Sequence, residues 1–291
     1  MIHCAFRVPY ERELAVAEEA ARRAGAIILS HYVAAPSAFE TKADGSPVST
    51  ADLEANAAIL AITGAAFPDD GVLSEEGPSD TGAAGVAPDR RAKSRVWIID
   101  PLDGTRGLLA RTDDFAVHVA LAVDGIPSVS VVYQPVADAL YRAVVGQGAF
   151  CVRGGTVRRL RVSSRATLAE HRVGISRHNA PAPLLAWLDQ HGLAAQAVQL
   201  GASLKYTACA QGDLDAVITV TRTEKEWDTC APQLLVTEAG GSVTDVDGQP
   251  LLYNQPSGAL DRSRGVVVSN GRCHGQLVAM VGVLLPPAPA R

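Results

Sequence analysis

Apolar residues recur at spacings of three and four through 11–34, where Leu14, Ala17, Ala21, Ala24 and Ile28 form one stripe and Pro36 closes the run. That period predicts a helix. Residues 41–47 (Thr-Lys-Ala-Asp-Gly-Ser-Pro) have turn composition. Ser49 and Asp52 are spaced as a capping box ahead of a second helical run, 53–63. The pattern then shortens. Val72-Leu73-Ser74 is a small apolar piece ending at Glu75-Glu76, and 77–94 reads as a surface loop. Residues 96–99 predict a compact strand that stops at Asp100-Pro101. Runs at 115–123 and 126–133, parted by Asp124-Gly125, predict a β-hairpin. A further strand, 139–145, ends at Gly146-Gln147-Gly148.

Residues 154–172 are basic and polar, with Arg158, Arg159, Arg161 and Arg165 following Arg153. They read either as a change of domain or as a solvated strand and loop. Beyond them the rhythm alternates: strand 172–176, helix 182–191, strand 197–200, helix 202–211, strand 214–219, helix 229–239, strand 242–245. Alternation of this kind implies an α/β layered unit. The expected organisation is an α+β half over 1–160 and an α/β half over 161–291.

Composition narrows the function. Of 291 residues, 47% are hydrophobic and 20% charged, which is globular rather than disordered. A net charge of −5 without a long basic run argues against a nucleic-acid polymer as partner. Cys4, Cys151, Cys209, Cys230 and Cys273 are scattered and never paired as CxxC, so neither a zinc site nor a disulfide framework is expected. The N-terminus turns charged before any apolar stretch reaches signal-peptide length, and no run approaches the ~20 apolar residues of a membrane span. A cytoplasmic protein is expected.

Acids stand at the ends of predicted elements: Asp52 at a helix start, Glu75-Glu76 after a short strand, Asp100 and Asp103 after another, and Asp228 before a helix. In α/β folds such positions share one sheet edge, where sites form. Carboxylates gather in a cleft only around a cation, and all-oxygen donors favour Mg²⁺, Mn²⁺ or Ca²⁺. In Asp100-Pro101-Leu102-Asp103-Gly104-Thr105, Pro101 starts a turn that can bend both aspartates to one point. The Leu102 carbonyl could be a neutral ligand, Gly104 permits close approach of a phosphate, and Thr105 offers a hydroxyl suited to orienting a water. Each acid also has a structural reading: a good turn for 100–105, a capping residue for Asp52, a solvated pair for Glu75-Glu76, and an N-cap for Asp228. His118, on an apolar strand, reads as a core histidine.

Trp97 through Thr105 resembles the Trp-x-x-Asp-Pro-x-Asp-Gly-Thr signature of the inositol monophosphatase superfamily, magnesium-dependent and lithium-sensitive phosphatases. Trp227-Asp228, with Gly240-Gly241 after it, is similar to the second signature. The Glu75-Glu76 pair and the 41–52 stretch also fit in order and spacing. Ser74 stands where a glycine is usual, and Leu108 where an aromatic is usual. Gly201-Ala202-Ser203-Leu204-Lys205 and Trp227-Asp228-Thr229-Cys230-Ala231-Pro232 resemble the 3′(2′),5′-bisphosphate nucleotidase branch of CysQ type. Ser176-Arg177-His178-Asn179 resembles its Ser-Arg-Ser-His segment, with the histidine one place earlier.

The resemblance implies a layered αβαβα sandwich like that of inositol monophosphatase and fructose-1,6-bisphosphatase. It implies two or three Mg²⁺ held by Glu75, Asp100, the Leu102 carbonyl, Asp103 and Asp228. Catalysis would fall to Asp52, Thr105 and Glu75, with Asp52 and Thr105 orienting the attacking water. Asp103, Gly104, Thr105, Lys205, Asp228, Ser176 and His178 would meet the substrate, with Glu76 and Lys42 in supporting positions. The implied reaction is in-line hydrolysis of a small phosphate monoester without a covalent enzyme intermediate. The implied substrate is adenosine 3′,5′-bisphosphate, giving AMP, in sulfur metabolism, with Lys205 meeting the second phosphate unless it is a solvated helix lysine. Rivals are an inositol or sugar phosphatase and a non-catalytic, metal-dependent binder of phosphorylated ligands. Monomer and homodimer are both compatible.

Overall fold

The computed structural model describes residues 9–34, 39–41, 47–77, 90–221, 224–255, 265–282 and 284. Lys42 and most of the 77–94 loop lie outside them. The helical stripes become α1 (Glu11–Val33) and, after the short hairpin β1 (Phe39–Thr41) and β2 (Pro47–Ser49), α2 (Thr50–Ala66). Next come β3 (Gly71–Ser74), β4 (Arg95–Asp103), α3 (Thr105–Ala110), β5 (Ala116–Val123) and β6 (Ile126–Gln134). β7 (Ala139–Val144), β8 (Gly148–Arg153) and β9 (Thr156–Arg159) complete a seven-stranded sheet in sequence order, parallel only between β3 and β4. Asp124 (φ 50°) and Gly125 (φ 77°) both take left-handed backbone, as the predicted tight hairpin requires.

The second sheet has five strands in the order β11 (Ala197–Leu200), β10 (Val173–Ser176), β12 (Ala216–Thr219), β14 (Val266–Ser269), β13 (Ser242–Asp245). Its helices are α4 (Ala182–Gln190), α5 (Leu204–Ala210), α6 (Glu226–Glu238) and α7 (His274–Gly282). Side-chain alternation sorts the layers. Trp97 and Ile99 join the core under α1 and α2, while Val96 and Ile98 join the core containing α5 and α6. Val266 and Val268 reach that same middle core, and Val267 packs with α4 and α7. Helix pair, sheet, helix pair, sheet, helix pair is the expected αβαβα sandwich.

Several expectations are corrected. β4 runs through Pro101 to Asp103 instead of stopping at Asp100, with a break in register between Asp100 and Asp103. The β1–β2 pair, α3, β8, β14 and α7 go beyond the expected elements. Part of the 154–172 segment is β9, an exposed edge strand whose arginines suit a solvated edge. No helix is long and apolar enough to cross a membrane among the described residues.

Candidate active site

Local structure brings the acids together. Residues three apart on a regular strand face opposite sides of the sheet, but the irregularity at the end of β4 re-aims them. Carboxylate oxygens of Asp100, Asp103 and Asp228 lie within 4.8 Å of one another. The Leu102 N–H donates to Asp100 Oδ1 at 3.0 Å, closing a small turn inside the strand. The Glu75 N–H donates to the Ile99 carbonyl at 3.1 Å, so the β3–β4 pairing extends one residue and places Glu75 beside Asp100. Ser74, in the usual glycine position, donates through Oγ to Asn56 Oδ1 at 2.7 Å and ties this corner to α2. Glu76 follows in the turn and is half-buried. Leu108 fills the core under α1 and α2.

Asp52 makes both a capping contact and a contact with Thr105. Its Oδ2 accepts from the Ser49 N–H at 2.8 Å and from Ser49 Oγ at 2.6 Å at the start of α2. Its Oδ1 accepts from Thr105 Oγ1 at 3.0 Å. Thr105 Oγ1 also lies 3.4 Å from the Leu102 carbonyl. Gly104 stands between them at φ 95°, and an added Cβ would meet the Asp114 carbonyl at 2.5 Å. The site therefore needs glycine there for shape and for conformation alike.

Asp228 is not the N-cap of its helix. Lys225 is the N-cap, and Asp228 sits three residues on, its Oδ2 accepting from the Lys225 N–H at 2.8 Å. Burial and the charges of Glu224, Asp103 and Glu75 push its carboxyl well above the usual range. Asp100 is raised likewise by burial and by Glu75, Asp103 and Asp228. Asp103 goes the other way: although burial would raise it, His118, Ser203 and Lys205 bring it down to about 2. The Ser203 N–H donates to Asp103 Oδ2 at 2.6 Å.

Glu75, Asp100, Asp103, Gly104, Thr105 and Asp228 line one cleft of about 510 Å³ together with Ser176, His178 and Lys205. Lys205 is not a solvated helix lysine. It is buried, and its Nζ donates to the Ala202 carbonyl at 2.7 Å. Two cleft features escaped the sequence reading. Glu224 faces the cleft, its carboxyl raised by burial and by Asp103 and lowered by Lys205 and Thr219. Glu226, two residues on, instead binds the Asn254 and Gln255 N–H groups at 2.5 and 2.6 Å. Nothing in the charged string before Trp227 says which glutamate turns inward. Asp114 also borders the cleft and pairs with Arg177 across the two halves of the chain.

The donor set is all oxygen, and its negative charge exceeds what Lys205 offsets, which suits a hard divalent cation. Glu75, Asp100, the Leu102 carbonyl, Asp103 and Asp228 could hold it. The family profile described as Inositol monophosphatase family matches residues 10–281. The chain belongs to the inositol monophosphatase family. Members of the family are metal-dependent phosphatases, and the chain is a hydrolase of phosphoric monoesters. Among its relatives, the 3′(2′),5′-bisphosphate nucleotidase CysQ of Escherichia coli K12 is 36% identical over 235 residues, 80% of this chain and 90% of that one. The histidinol-phosphatase of Mycobacterium tuberculosis is 31% identical over 277 residues, 91% and 96% of the two chains. The solved structure of CysQ from Bacteroides thetaiotaomicron superposes with a TM-score of 0.74 at 29% identity, covering 91% of this chain and 98% of that one.

Proposed function

We propose that this family member is a Mg²⁺-dependent 3′(2′),5′-bisphosphate nucleotidase that releases the 3′-phosphate of adenosine 3′,5′-bisphosphate. The observation that carries the catalytic part is the Asp52–Thr105 hydrogen bond set beside the Asp100, Asp103 and Asp228 carboxylates. In this reading Mg²⁺, when bound, supplies charge neutralisation and water activation. Asp52 accepts from Thr105 Oγ1, which leaves the hydroxyl oxygen turned to accept from the attacking water. The N–H groups at Gly104 and Thr105 meet the phosphate. Glu76 supports the turn that carries Glu75.

The nucleotide part is supported by the likeness to the CysQ proteins and by Lys205, Ser176 and His178 along the cleft. The division at residue 160 belongs to the same proposal, supported by the passage from β9 to β10 between sheets. A cytoplasmic location is supported by the free, buried thiols of Cys151, Cys209, Cys230 and Cys273. A second reading, a phosphatase of hydroxyl- or ammonium-bearing substrates, is favoured by Glu224, since a cleft carboxylate repels a second phosphate and attracts such groups. A panel with Mg²⁺ containing adenosine 3′,5′-bisphosphate, inositol 1-phosphate and histidinol phosphate decides between them. Preference for the bisphosphate by kcat/KM is expected; preference for either other ester rejects the nucleotide reading, and binding of all three without phosphate release rejects catalysis.

A further inference from the structure

His118 is fully buried, yet its environment is polar on both ring nitrogens. On β5 it shares one face with Ala116, Ala120 and Ala122, toward the middle helix layer, where small residues admit α6 closely. Its Nδ1 lies 3.1 Å from the Trp227 carbonyl. A carbonyl can only accept, so Nδ1 carries a hydrogen. Its Nε2 lies 2.5 Å from Ser203 Oγ and 3.3 Å from Asp103 Oδ2. Ser203 in turn gives its N–H to the same Asp103 oxygen at 2.6 Å. One ring thus touches Asp103 in the N-terminal half and Ser203 and the residue next to Asp228 in the C-terminal half. The contacts can be made in either state of the ring: when neutral, Nε2 accepts from the Ser203 hydroxyl; when charged, it donates to the carboxylate.

We propose that His118 is a positioning residue that registers Asp103 against Asp228 and so sets the affinity of the site for divalent cations. It orients a ligand rather than touching cation or substrate, as hydrogen-bonding partners behind metal ligands commonly do. The inference rests on the reading of Asp103 and Asp228 as cation ligands. His118 fills the core, as its apolar strand predicts, while its polar partners come from segments distant in the chain.

The test is calorimetric titration of the full chain with Mn²⁺ alone, without substrate, followed by Mg²⁺ dependence of turnover. Compared with the unaltered chain, His118→Leu should weaken Mn²⁺ binding by about 10- to 100-fold, the usual cost of losing such a partner. His118→Asn, which can still donate to the Trp227 carbonyl, should recover part of the loss. Saturating Mg²⁺ should bring kcat of the variants back toward the unaltered value, which a merely damaged fold would not allow. Absence of Mn²⁺ binding by the unaltered chain, or binding insensitive to Asp103→Asn, overturns the cation site itself. Mn²⁺ binding by folded His118→Leu within about twofold of the unaltered chain, where that site is present, overturns the role of His118. Should His118→Leu fail to fold, His118→Asn and Ser203→Ala carry the test, and affinities unchanged in both overturn it.

Discussion

Thr105 donates to Asp52 at 3.0 Å across 53 residues of sequence, joining the first turn of α2 to the first turn of α3. The same carboxylate closes the start of α2 through Ser49. Asp52 therefore serves local folding with one oxygen and the candidate site with the other. Asp52→Asn should lower kcat by about 10²-fold or more, as loss of a proton-accepting group does, while costing only about 1 kcal/mol at the cap. Steady-state kinetics and thermal melts on the same preparation separate the two effects. Near-normal kcat in a folded variant would remove Asp52 from the mechanism.

Asp103→Asn keeps the volume and the Ser203 N–H contact but removes the charge that His118, Ser203 and Lys205 stabilise. The fold should survive and most activity should be lost. Normal turnover at saturating Mg²⁺, with an unchanged circular dichroism spectrum, would contradict the role given to this carboxylate.

Asp100 and Asp228 make a pH prediction. Burial raises both first, and neighbouring carboxylates raise them further. A group raised on folding contributes stability fully below its unfolded pKa, about 3.9 here, and loses it as pH rises through the folded value. In EDTA, the Tm advantage of the double variant Asp100→Asn, Asp228→Asn over the unaltered chain should therefore grow from acidic to neutral pH. Mg²⁺ should recover Tm of the unaltered chain mainly at neutral pH. An advantage that is flat or shrinks with pH would mean that these carboxylates do not repel one another in the metal-stripped protein.

Asp215 is expected to show the opposite sign. Burial would raise it, but Ser163 Oγ, the Arg172 N–H at 2.7 Å and the Arg172 side chain hold it low. Its contribution is present above the unfolded pKa and is lost as pH falls through the folded value. Asp215→Ala removes the buried carboxylate that ties Ser163, Arg165 and Arg172 to the start of β12 and, because both arginines are partly exposed, should cost about 2 kcal/mol. Chemical denaturation at neutral pH and at about pH 3, below the unfolded carboxylate value, checks both magnitude and sign: the gap between variant and native chain should narrow at the lower pH.

Gly104→Ala should be poorly tolerated, because the added Cβ meets the Asp114 carbonyl at 2.5 Å on backbone already at φ 95°. A cost of about 1–3 kcal/mol is expected, with activity falling more steeply because Thr105 follows directly. A melt and an activity assay are sufficient, and wild-type values for both would show that the turn relaxes freely.

Much of this could be read before any coordinates. The 3.6-residue stripe of α1, the capping box of α2 and the Asp124-Gly125 hairpin follow from local periodicity and turn chemistry, which act within a few residues. So do the four acidic positions and their order, because they lie in short motifs. Tertiary structure decided what local rules cannot. It took the strand through Pro101 and re-aimed Asp100 and Asp103, since register belongs to a pair of strands. It chose Glu224 over Glu226 for the cleft, because which side chain turns inward depends on Asn254 and Gln255 waiting for the other. It buried Lys205, deciding against the solvated helix position that the sequence left open beside the substrate contact. It converted His118 from a core residue into a contact among three segments, because Asp103, Ser203 and Trp227 are distant in the chain. The amino-acid sequence alone thus determined which chemical groups the protein carries and which short segments hold them. Their mutual distances, and therefore their charges, arose only when two sheets packed on a common helix layer.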